Sequence, residues 1–160
     1  MTPVLSRYAF TVRNVDVGTA RFRLTMVRDL EGEIGRLCQE AAATHRPGAQ
    51  LEALEQAPYH AVLWPSARAL SGWLDDRREE LAGKRVLEVG CGLALPAFLA
   101  ARVGADVVAT DFHPDVPVLL SRNQGGNGVV FEYRTADWND HDLRLGEFDW
   151  VVASEIFYGK

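Results

Sequence analysis

The chain has 160 residues, 48% of them hydrophobic and 24% charged, with a formal net charge of −5 and a pI near 5.3. That is material for one globular domain with a real core, and its acidic balance argues against an electrostatic nucleic-acid surface. No run of 18 apolar residues offers a membrane span, the N-terminal MTPVLSRYAFTVRN lacks a signal-peptide layout, and two isolated cysteines, Cys38 and Cys91, point to a reducing, cytoplasmic setting without a disulfide framework or a zinc site.

Residues 7–13 and 20–27 alternate apolar and polar side chains, with turn chemistry from Asn14 to Gly18 between them. The pattern predicts a β-hairpin. Ile34, Leu37 and Cys38 fall at helical spacing, so a short amphipathic helix is expected over 31–44. Residues 45–58 read as a loop with a helical turn at most. Residues 1–58 therefore form an expected hairpin-and-helix appendage on a main domain spanning 59–160. Tyr59 to Pro65 (YHAVLWP) is aromatic and apolar. Ser66 then reads as an N-cap for a helix to about Ala82, with Ala69, Leu70, Trp73 and Leu74 as its buried stripe and Gly83 as its stop.

Next come a short buried strand (Val86 to Val89), a tight Gly90-Cys91-Gly92 turn, and a helix over Pro96 to Val103. Asp106 to Asp111 is a second apolar strand ending in an acid. A helix is expected over 115–123, with Pro117 in its first turn, and Gln124 to Gly128 (QGGNG) should break the chain. Val129 to Ala136 and Phe148 to Ser154 read as third and fourth strands. Strands alternating with helices predict an α/β fold, a Rossmann-like parallel sheet with flanking helices. Its ligand crevice lies at the carboxyl ends of the strands, where Gly90, Asp111, Asp137 and Glu155 all fall.

The glycine turn narrows the ligand. A dinucleotide fingerprint wants glycine where Leu95 stands. The carboxylate of Glu88, just before the turn, disfavours a pyrophosphate and favours a cation. Asp111, 23 residues further on, lies where a ribose-binding acid belongs. A nucleoside with a positive, phosphate-free tail meets both conditions, and S-adenosylmethionine is such a molecule.

Leu87-Glu88-Val89-Gly90-Cys91-Gly92 resembles motif I of the class I S-adenosylmethionine-dependent methyltransferases, an acid followed by Gly-x-Gly-x-Gly, with Ala94 at the third glycine. Asp111 resembles the family's ribose acid, and Asp137-Trp138 its third-strand motif beside the adenine. Leu63-Trp64-Pro65-Ser66 and Glu155-Ile156-Phe157-Tyr158 resemble motifs of the seven-strand protein-lysine methyltransferases, most of all the bacterial members similar to electron-transfer-flavoprotein lysine methyltransferases. The resemblance covers residues 55–158. It implies a cofactor site of Trp64, Glu88, Gly90, Cys91, Gly92, Asp111, Phe112, Asp137, Trp138 and Glu155, and catalytic roles for Glu155 and Tyr158.

It also implies methyl transfer to a protein lysine, or to a small amine of the nicotinamide kind. The alternative is a non-catalytic S-adenosylmethionine-binding or interaction module. The resemblance places the fifth to seventh strands of the full fold outside this sequence, which leaves the fourth strand as an apolar edge open to self-association. No nucleic-acid or membrane partner is expected. His113 beside the ribose acid reads as structural or adenosine-side. His45, His60 and His141 show no ligand spacing, so no metal is expected. Trp73 and Phe98 read as core.

Overall fold

The computed structural model describes residues 7–140 and 142–156. Strands β1 (Phe10–Val17) and β2 (Ala20–Val27) pair antiparallel in the register Phe10↔Val27 to Val17↔Ala20. Gly18 takes the positive φ that so short a hairpin turn needs. Helix α1 (Leu30–Ala43) is capped by the Asp29 carboxylate, which accepts from the Gly32 amide at 3.0 Å. Helix α2 (Ala49–Glu55) occupies the stretch expected to be a loop. A 3-10 turn over Tyr59–Ala61 leads into α3 (Pro65–Asp75) and the short α4 (Arg78–Leu81).

The main sheet follows. Strands β3 (Arg85–Val89), β4 (Asp106–Asp111), β5 (Glu132–Thr135) and β6 (Trp150–Ala153) lie in the order β5-β4-β3-β6, all parallel. Helix α5 (Leu95–Arg102) links β3 to β4, and α6 (Val116–Asn127) links β4 to β5. This is the expected Rossmann-like parallel sheet with an N-terminal hairpin. Among the described residues β6 pairs only with β3, so it forms a sheet edge, and Val151 on it is exposed.

Several expected boundaries move. Ser66 is not the N-cap of α3: Trp64 holds that position without a side-chain cap, and Pro65 opens the helix, where its missing N–H costs nothing. The helix expected to reach Ala82 breaks after Asp75. Of its expected stripe only Leu74 is fully buried. Trp73 is 43% exposed, set edge-on to Trp150 and beneath the Arg77 guanidinium. Gln124 to Gly128 does not break α6, which runs through Gly125 and Gly126 and stops at the left-handed Gly128. The third and fourth strands are shorter than expected.

Helix α5 explains the packing. Leu95 to Ala100 are all buried, and a helix apolar all round must be covered on both sides. Strands β3 and β4 cover one side. The hairpin contributes to the other: Phe22 meets Phe98 at 6.0 Å between ring centroids, while Phe98 stands edge-on to Phe131 at 5.0 Å. Val15, Val17, Phe22, Leu24, Met26 and Val27 thus belong to the same core as the sheet.

Two asparagines fasten the hairpin. The Asn123 amide accepts from the Thr25 N–H at 2.7 Å and donates to the Thr25 carbonyl at 3.3 Å. One helical turn later, Asn127 does the same for Arg23, at 2.7 and 2.9 Å. The i, i+4 spacing on α6 matches the i, i+2 spacing of outward-facing groups on β2, so the side chains act as a pairing strand. Asn123→Ala leaves a buried amide and carbonyl without partners and should lower unfolding free energy by about 1–3 kcal/mol. Asn127→Ala, half exposed, should cost less. Chemical denaturation of the two single variants and the double variant measures both effects and their coupling.

Candidate functional site

Strand order reverses beside β3: β4 and β5 extend to one side of it, and β6 lies on the other. Such a switch point opens a crevice at the carboxyl ends of the strands. The loop leaving β3 supplies its floor. Gly90 and Gly92 have φ of 63° and 48°. A Cβ on Gly92 would come within 2.9 Å of the His60 carbonyl oxygen, and one on Gly90 within 2.8 Å of Ile156 Cγ2. Both positions therefore favour glycine for conformation, and Gly92, which faces backbone, for space as well. Ala94, at the third-glycine position, also lies in the left-handed region, at φ 57°, a strain of about 1 kcal/mol for a residue with a Cβ.

Asp111 locks this floor in place. Its Oδ2 accepts from the Gly92 amide and its Oδ1 from the His113 amide, both at 2.9 Å. The carboxylate thereby ties the loop after β3 to the loop after β4. The walls are aromatic. Trp64 donates from Nε1 to the Tyr59 carbonyl at 3.1 Å and lies beside the Tyr59 ring. Phe112 and Trp138 are 62% and 47% exposed at the rim. Glu155, in a left-handed conformation, accepts from the Ser66 hydroxyl at 2.6 Å. That bond joins the loop after β6 to the start of α3 across the mouth of the cleft.

Comparisons agree with this geometry. Residues 86–159 match the family model described as a methyltransferase domain. A 16S rRNA methyltransferase from T. Thermophilus superposes with a TM-score of 0.65 over 94% of this chain and 34% of that one, at 16% identity. This chain therefore shares the fold of that methyltransferase, and its residues 86–159 carry the sequence pattern of the methyltransferase-domain family. It is 35% identical over 105 residues to the electron transfer flavoprotein beta subunit lysine methyltransferase of Rattus norvegicus, covering 64% of this chain and 40% of that protein. It is 49% identical over 107 residues to a histone-arginine methyltransferase of Xenopus laevis, covering 62% and 45%. The chain thus spans less than half the length of the curated relatives it matches.

Trp64, Gly90, Cys91, Gly92, Asp111, Phe112, Trp138 and Glu155 line one cleft. Two expected site residues do not. Asp137 bends away, its Oδ1 accepting from the Asn139 amide and side chain at 2.9 Å. Glu88 is buried beneath the floor, where its Oε2 accepts from the Ala97 amide at 2.8 Å in the first turn of α5. Tyr158 and His141 lie outside the described residues. Sequence reasoning passed over His60 and Ser66. Ser66 was read as a helix cap, and nothing in spacing groups His60 with His113. Yet their rings stack at 3.7 Å along the cleft.

Burial raises the Glu88 carboxyl to about 8, against the lowering effect of the Ala97 amide, with nearby Asp111 raising it further. At neutral pH the group is largely protonated, so it acts on helix α5 rather than as a counter-charge in the cleft. A carboxyl raised on folding binds its proton more tightly in the native state. It therefore contributes stability below its unfolded value, near 4.5, and loses it as pH rises through about 8. Glu88→Gln keeps the shape and cannot ionise. The stability of the native chain relative to this variant should fall by up to about 1.4 kcal/mol per pH unit between pH 5 and 8. Urea denaturation of both proteins across that range reads the difference, and parallel profiles would contradict the assignment.

Proposed function

We propose that this chain binds S-adenosylmethionine in the cleft beside Gly90-Cys91-Gly92 and supports methyl transfer to a side-chain nitrogen of a protein, lysine first. The observation that carries the reading is the arrangement of one cleft: a left-handed glycine floor with no room for a Cβ at Gly92, the Asp111 carboxylate at the end of the next strand, and aromatic walls at the rim. The residues fit such a cofactor. Asp111 can accept from ribose hydroxyls through the lone pairs its two backbone bonds leave free. Trp64, Phe112 and Trp138 offer flat apolar faces to a purine and a π surface to a cation. Relatives of matching sequence are named as protein methyltransferases, and a solved structure of this fold holds the cofactor, which supports both halves of the reading.

When bound, the cofactor supplies a methyl group on a positively charged sulfur, ready for in-line displacement. The protein's part is alignment and exclusion of water. An acceptor lysine must lose a proton before its nitrogen can attack. Glu155 is exposed at the cleft mouth and carries a carboxylate that attracts the ammonium and accepts from it. Its bond to Ser66 fixes where that carboxylate sits. An arginine acceptor is the second reading, favoured by the 49% identity to the histone-arginine enzyme. Trp138 and Ile156 now rest against Gly90, so they must shift to admit the cofactor.

Calorimetric titration should show one S-adenosylmethionine bound per chain and no binding of a nicotinamide dinucleotide. The reverse pattern would remove the proposal. Asp111→Asn, which keeps one acceptor oxygen for the loop, should weaken binding roughly tenfold or more, the scale of one charge-assisted hydrogen bond. Glu155→Ala should leave affinity unchanged and reduce transfer of labelled methyl groups to a protein panel. Equal loss of binding in both variants would contradict the division of roles. Hydrolysis of the labelled product distinguishes methyl-lysine from methyl-arginine. Cofactor titration should also change tryptophan emission, and the change should shrink in Trp138→Phe and in Trp64→Phe.

A further inference from the structure

The stacked histidines form part of a group that the cleft's cofactor chemistry does not use. His60 comes from the 3-10 turn before α3, His113 from the loop after β4, and Asp115 from the residue preceding α6. Each offers one ligand atom, and these atoms lie within 4.8 Å of one another. Among the described residues no other set of three or more histidine, cysteine or carboxylate groups comes together in this way.

Two atoms of the group are buried without a hydrogen-bond partner: Nδ1 of His60 and Oδ2 of Asp115. The Asp115 side chain is only 2% exposed. Buried polar groups are normally satisfied, and an orphan of this kind calls for an ion or a water. Both atoms are acceptors when His60 is neutral with its proton on Nε2, so direct contact between them would gain nothing. A cation resolves the pair. The opposite oxygen of Asp115 faces Arg7 at 3.4 Å, which leaves Oδ2 free to turn elsewhere.

We propose that His60, His113 and Asp115 form a binding site for a divalent transition-metal ion of borderline softness, of which Zn²⁺ is the type. Two imidazoles and one carboxylate are a donor set that such ions prefer over Mg²⁺ or Ca²⁺. The histidines are prepared for it. Burial, then the facing His113 and Arg7, lowers His60 to about 3, and burial also lowers His113 against the raising effect of Asp115 and Asp111. A neutral imidazole holds a lone pair for a metal. The Asp115 amide donates to His113 Nδ1 at a long 3.2 Å. Whichever ring nitrogen of His113 takes the ion, that contact is what it replaces; the rings are stacked at 20°, and binding one centre requires them to tilt. A fourth position remains for water or a ligand from the cleft, which His60 and His113 both line.

Titration of the full chain with ZnCl₂, free of chelating buffer, tests the site without reference to methyl transfer. One ion per chain should bind and raise the melting temperature, and MgCl₂ at the same concentration should do neither. His60→Gln and Asp115→Asn, both close in volume, should each weaken Zn²⁺ binding by roughly tenfold or more. His45→Ala, which removes an exposed histidine outside the group, should leave it unchanged. Co²⁺ provides a second readout, since coordination by this donor set gives visible ligand-field bands that the His113→Gln protein should lack. Absence of stoichiometric binding, or binding that survives all three substitutions, overturns the proposal. Circular dichroism of each variant separates loss of the site from loss of the fold.

Discussion

The bond from the Ala97 amide to the Glu88 carboxyl is the contact on which the rest of the structure turns. It joins the carboxyl end of β3 to the first turn of α5 beneath the glycine loop. That turn opens at Ala94, a residue with no capping side chain. One of the helix's unpaired amides would otherwise be stranded in a dry interior. Supplying an acceptor from the preceding strand satisfies the amide and fixes the distance between strand and helix. The loop between them, Gly90 to Leu93, must then close over a set span. It does so through two glycines and Ala94 in left-handed conformations. The shape of the cleft floor follows from this closure.

Burying α5 on every side has a consequence for the N-terminal third. A helix with six consecutive buried residues needs a second cover opposite the sheet. The hairpin, through Phe22, Leu24 and Val17, is part of it. Its outer strand would present unpaired backbone groups to α6, and Asn123 and Asn127 meet them in strand fashion. This is a structural reason for asparagines late in a helix, where their intrinsic preference is poor. Of the stretch that reads from sequence as an appendage, the hairpin thus shares one core with the sheet.

What the sequence made legible were features with strong local causes. Alternation fixed the hairpin, with β2 at its expected bounds, because period-2 patterning is unambiguous when one face is buried. The glycine turn and the acids at strand ends followed from the order of strand, turn and helix. What escaped depended on distant partners. Gly125-Gly126 looked like a break, yet α6 continues, since Asn123 and Asn127 on either side are held by β2. Trp73 looked like core and proved to be a half-covered plate between Arg77 and Trp150. Glu88 was read as a counter-charge for a ligand, because its position in the motif is visible and its direction is not. A side chain in a fully buried strand can point to either face, and here it points under the loop. The pairing of Ser66 with Glu155 spans 89 positions and has no local signature.

Asp111 shows how such a site combines support with recognition. An acid used only for a ligand would sit solvated until the ligand arrived, and ordering it would reduce affinity. Here the carboxylate is only 7% exposed, and two backbone amides already hold it. It is oriented before any ligand binds, and the same two bonds keep the loops after β3 and β4 at a fixed separation. Tyr133 reinforces the arrangement by donating its hydroxyl to the Asp111 carbonyl at 3.0 Å, which ties in β5 as well. Three successive strands thus converge on one residue. The opposite side of the cleft is formed by the loops after β5 and β6, where Trp138 and Ile156 lie against Gly90. The same strand order places these features: Asp111 ends β4, which lies between β3 and β5 in the sheet, whereas the loop carrying Ile156 follows β6 at one edge.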